Sequence, residues 1–78
     1  MLLYLTRFTE QGHERYYKML SSQNLFGEHL VIREFGNTNY KKPTRIIEKQ
    51  FDTQKDAEKF FSIVKSQKLH RGYFTKCA

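Results

Sequence analysis

Two short runs of the 78-residue chain interleave cations with aromatic rings. The run "NYKKPTR", residues 39–45, sets Tyr40 beside Lys41 and Lys42, with Arg45 two residues beyond Pro43, the only proline. The run "KLHRGYFTK", residues 68–76, repeats the theme with Lys68, His70, Arg71, Tyr73 and Lys76. Cations hold phosphate oxygens and aromatic faces stack on bases or sugars, so these residue types side by side suit a nucleic-acid strand. Each has a plainer alternative. Tyr40 can pack back on the fold, and Lys41 and Lys42 can simply solvate a loop.

Other chemistry finds little support. No Ser or Cys lies in a nucleophile elbow, and the four glycines are isolated from one another, so no glycine-rich phosphate loop exists. His13, His29 and His70 have no metal-ligand spacing, and Cys77 has no second cysteine to pair with. Asp56 and Glu58 read as solvated helix residues. The expectation is a protein without catalysis, metal or cofactor.

Charge points the same way as the two runs. Fourteen Lys and Arg against eight Asp and Glu give a net charge of +6, which attracts polyanions. Solubility alone is the bland alternative. The apolar start "MLLYLTRF" is broken by Thr6 and Arg7 and lacks the basic lead of a secretory signal. No stretch approaches the roughly 20 apolar residues of a membrane span. The expectation is a soluble, cytoplasmic protein that does not engage membranes.

The elements that must position these residues follow from periodicity. Residues 2–8, 15–20, 29–35 and 44–51 are rich in strand formers, with turn signals at Gly12, in "SSQNLFGE" and before Pro43. The period then changes. Ala57, Phe60, Phe61 and Val64 fall at i, i+3, i+4 and i+7, one apolar stripe of a helix. Asp52 or Thr53 caps its start, and Gly72 marks its stop. The reading is an α+β domain over residues 1–78: a small antiparallel sheet of four to five strands, with a short last strand at "GYF" and one helix on one face. Alternation along the third strand separates Leu30 and Ile32 from Val31, Arg33 and Phe35. The first pair is assigned to the helix side. The second set then carries a cation and a ring to the uncovered side, with Phe35 as ordinary core the alternative.

Three pieces in order carry a resemblance. "RYYKM", "LFGEHLVIREFG" and "FDTQKDAEKFFSIVKSQKLHRGY" resemble the aromatic strand, the signature strand and the helix with its "RGY" ending of the WGR domain, notably its short stand-alone bacterial members. The resemblance spans nearly the whole chain. It implies a small sheet with one helix, and nucleic-acid binding, with DNA and its ends or breaks as the target. In poly(ADP-ribose) polymerases this domain helps recognise DNA breaks; its signature Trp contacts a sugar near the end and its Arg bridges to neighbouring domains. By motif position Phe35 replaces the Trp, Gly36 matches the Gly and Asn37 replaces the Arg. Phe keeps a π-face without the indole N–H, and Asn lacks the charged fork. The candidate nucleic-acid-binding set is therefore Arg33, Phe35, Gly36, Asn37, Tyr40, Lys41, Lys42, Arg45 and Arg71, with residues 37–43 as the contact loop. The second reading is a protein-interaction or regulatory module of the same fold that has lost DNA binding.

Overall fold

The structure, a computed structural model, describes residues 2–75. Lys76 and Cys77, singled out above, lie outside the described residues. Five strands form one antiparallel sheet: β1 (Leu2–Phe8), β2 (Glu14–Gln23), β3 (His29–Asn37), β4 (Arg45–Phe51) and β5 (Phe74–Thr75). Their order across the sheet is β4-β3-β2-β1-β5. Helix α1 (Gln54–His70) packs on one face. The expected α+β architecture is present, with β2 and β3 longer than the sequence pattern marked.

Local chemistry sets each connection. Between β1 and β2, Thr9 N–H donates to His13 O at 2.8 Å, and Gly12 turns the chain at φ +80. Between β2 and β3, Asn24 Oδ1 accepts from both Phe26 N–H and Glu28 N–H at 3.0 Å. This Asx geometry holds the turn at the residue type best suited to it. Thr53 caps α1, its hydroxyl accepting from Asp56 N–H at 3.1 Å. Gly72, at φ +95, ends the helix and sends the chain back to β5.

The core lies between helix and sheet. Leu5, Met19 and Val31 are fully buried, joined by Leu3, Tyr17, Ala57, Phe61 and Val64. Each fully buried aliphatic side chain stabilises the fold by about 1.5–3 kcal/mol. Of the expected stripe, Ala57, Phe61 and Val64 are buried, and Phe60 packs at the core's margin against Phe51.

The face assigned to β3 is corrected by the structure. Val31 is wholly buried, Arg33 lies over the Phe60 ring of α1, and Phe35 packs against the core. Val31, Arg33 and Phe35 therefore face the helix, and Leu30 and Ile32 face away. The reason is register: Val31 stands opposite Ser21, and Phe35 opposite Tyr17, whose ring belongs to the helix-side core. Side chains alternate with period two, so one residue of register inverts every assignment.

Candidate nucleic-acid interface

The register aligns two rows across the helix-side face of the sheet. One runs Leu5, Tyr17, Phe35, Arg45, and the next runs Arg7, Arg15, Asn37. Helix α1 covers the middle of this face, and its C-terminal turn ends near these rows. Lys68 Nζ stands 4.5 Å from the centre of the Tyr17 ring and 5.7 Å from that of Tyr73. The Arg7 guanidinium lies 5.5 Å from the Tyr73 centroid, and its Nη1 donates to Arg71 O at 3.1 Å. That bond ties β1 to the end of the helix and satisfies a carbonyl that the helix leaves open.

A groove of about 760 Å³ opens at this end. Among the described residues, its lining includes Arg7, Arg15, Lys68 and Arg71 around Tyr73 and Phe8, with Glu10 the only carboxylate. The cations repel one another. Burial lowers the Lys68 ammonium from its ordinary value of 10.5, and the charges of Arg71, Arg33 and Arg7 lower it further. An anion seated among them would reverse that penalty.

The rings beneath are ordered by the same packing. Tyr17 and Phe35 stack with centroids 5.7 Å apart and planes 10° apart, and Tyr73 meets Tyr17 edge-on at 6.3 Å. Burial raises the Tyr17 hydroxyl above its usual 10.0, with Arg33 opposing the shift. Among the described residues neither Tyr17 Oη nor Arg33 Nε has a partner in hydrogen-bond geometry.

Apart from Gly36, the expected site residues divide into three groups. Arg33 is held against Phe60 under the helix, a position that supports packing. Phe35, Asn37, Arg45 and Arg71 gather at the groove end of the sheet, Phe35 half-buried and Arg45 and Arg71 exposed. Tyr40, Lys41 and Lys42 sit exposed on the β3–β4 loop. Asn37 opens that loop, its Oδ1 accepting from Asn39 N–H at 2.9 Å and its carbonyl from Tyr40 N–H at 3.0 Å.

Gly36 has a structural task. A Cβ there would lie 2.8 Å from Thr44 N and 3.1 Å from Thr44 Oγ1, because the loop folds back over it and Thr44 N–H donates to Phe35 O at 2.9 Å. Only a residue without a side chain admits that approach.

Arg7 and Arg15 were absent from the sequence-derived set, and Lys68 was noticed only as part of a basic run. The signal for the two arginines was available in the strand alternation. Arg7 shares a face with Leu3 and Leu5, and Arg15 with Tyr17 and Met19, so a hairpin at Gly12 makes them neighbours.

Among the described residues no group of His, Cys, Asp and Glu is arranged to hold a metal ion. No helix there is long and apolar enough to cross a membrane. Compared with known proteins, residues 1–77 match the family model of the WGR domain. No curated protein and no solved structure gives a significant match.

Proposed function

We propose, from the premise that the chain belongs to the WGR domain family, that it binds nucleic acid without catalysis, and binds it at the groove beside the helix C-terminus. WGR domains are in general nucleic-acid-binding modules, which is the family's contribution to this reading. The observation that carries it further is the ring of Arg7, Arg15, Lys68 and Arg71 around Tyr73, with the Lys68 ammonium already destabilised by burial and then by the charges of its neighbours.

In this reading phosphates lie on Arg7, Arg15, Arg71 and Lys68, and the exposed part of Tyr73 offers a stacking surface. Arg45 and the loop carrying Tyr40, Lys41 and Lys42 flank the strand on the β3–β4 side. Phe35 supports the site from beneath through its stack with Tyr17. Asn37 lacks the charge of the family's Arg, and Arg15, its neighbour across the β2–β3 ladder, supplies a guanidinium at that level of the sheet. DNA is the preferred target, with ends or breaks as the preferred structure.

The test is fluorescence anisotropy with labelled blunt duplex, nicked duplex, single-stranded DNA and RNA of equal length. Neutralising about four phosphates gives a log–log salt slope of roughly −3.6, so affinity falls about two orders of magnitude between about 50 and 200 mM salt. No binding to any of the four at the lower salt overturns the proposal.

A further inference from the structure

Charge is sorted by face across the strands. The carboxylates Glu14, Glu34 and Glu48 stand on the side turned away from the helix, with Lys18. The cations Arg7, Arg15, Arg33, Arg45 and Lys49 stand on the helix side. Arg7 and Arg15 line the groove. The other three lead away from it, along the flank of α1 that overlies β3 and β4.

Their register is regular. Successive cross-strand rows on this face hold Arg15 with Asn37, Phe35 with Arg45, Arg33 with Ile47, and Val31 with Lys49. Each row contributes one cation. Rows two residues apart are separated by about 6.6 Å, so the column is about 20 Å long. It begins at the groove, where the charge of Arg33 helps to lower the Lys68 ammonium. It ends beyond Lys49, where Asp52 follows Phe51 and Asp56 lies in the first turn of α1. Those carboxylates oppose a polyanion and set the column's limit.

Two rings fix the far cations. Lys49 Nζ stands 4.8 Å from the Phe60 centroid and 5.5 Å from that of Phe51, and the Arg33 guanidinium stands 5.2 Å from that of Phe60. Cations already held against rings lose less freedom when a ligand arrives. Arg45 and Lys49 are exposed, and Arg33 adds its charge from a half-buried place beside them. Helix α1 walls the column on one side. The other side is open, because β4 is an edge strand.

A straight column selects among polyanions. An extended single strand lays successive phosphates along a line. A B-form strand winds about a third of a turn over four phosphates and leaves that line. The helix, about 10 Å thick, also holds the bulk of a duplex off the floor beside it.

We infer that a single DNA strand leaves the groove and runs along Arg45, Arg33 and Lys49, so that the substrate is a duplex end carrying a single-stranded tail. This rests on the nucleic-acid reading above and adds the end structure that the protein selects.

Fluorescence anisotropy tests it with a blunt duplex and the same duplex carrying an oligothymidine tail of about six nucleotides on the 3′ or the 5′ strand. A tail of one polarity should tighten binding about tenfold. Lys49→Gln should cut that advantage to about threefold or less, and make the salt slope of the tailed complex shallower by roughly 0.7. Arg45→Gln should act in the same way. Lys18→Gln, on the opposite face, should leave the advantage whole. Circular dichroism confirms that each variant is folded. Equal affinity for the blunt and both tailed duplexes overturns the inference and leaves the proposed function standing. So does an advantage that Lys49→Gln and Arg45→Gln reduce no more than Lys18→Gln does. Failure to bind any of the probes overturns the proposed function itself, and this inference with it.

Discussion

Tyr17 and Phe35 face each other across the β2–β3 ladder, their rings 5.7 Å apart and 10° from parallel. Phe35 is thus one half of a stacked pair on the helix side, with Tyr17 buried behind it. Phe35→Ala should cost about 2 kcal/mol, less than the roughly 3–5 of a fully buried ring. Urea denaturation measures this. A variant of wild-type stability would mean that the stack contributes nothing to the fold.

Gly36→Ala should lower stability by about 1–3 kcal/mol, because the new methyl meets the backbone of Thr44 at 2.8 Å and the loop must move. The same denaturation series checks it. The loop's shift should also broaden the amide signals of Thr44 and Tyr40 in an NMR spectrum. Unchanged stability would show that the loop relaxes freely.

The sequence pattern announced the elements more readily than the side of the sheet each residue occupies. The helix stripe Ala57, Phe61, Val64 repeats over two turns, and a helix has one periodicity to read. In β3 both alternating sets, Leu30 with Ile32 and Val31 with Phe35, are apolar, so alternation alone could not choose between them. Pairing with Tyr17 chose. The groove suffered from the same limit. Arg71 stood out beside Tyr73 in sequence, whereas Arg7 and Arg15 approach it only through the β1–β2 hairpin.

Phe61→Ala should cost about 3–5 kcal/mol, since the ring is 3% exposed and centres the helix's contact with the sheet. In a domain this small that loss removes most of the stability. Thermal unfolding followed by circular dichroism reads it. A melting temperature near that of the wild type would contradict the packing described.

Lys68 should give stability and binding opposite pH dependences. Its value in the folded chain lies below the unfolded 10.5, so the unfolded chain holds more protons between the two values. Its contribution to stability therefore rises with pH through that window. A bound polyanion raises the value again, so the complex holds more protons and affinity falls as pH rises through the same range. The checks are melting temperature and anisotropy across the alkaline range, each taken as the difference from Lys68→Met. A difference of one sign in both would contradict the assignment.

Neutralising the groove tests the central claim most directly. Arg15→Gln with Arg71→Gln removes two cations whose side chains are exposed, while leaving the Arg7 bond to the Arg71 carbonyl available. The binding of labelled DNA is measured against salt for this variant and for the wild type. The account predicts weaker binding at every salt concentration, a stability unchanged to within about 0.5 kcal/mol, and a log–log slope shallower by roughly 1.8. A slope and affinity equal to those of the wild type would place the nucleic acid elsewhere on the molecule and contradict the account.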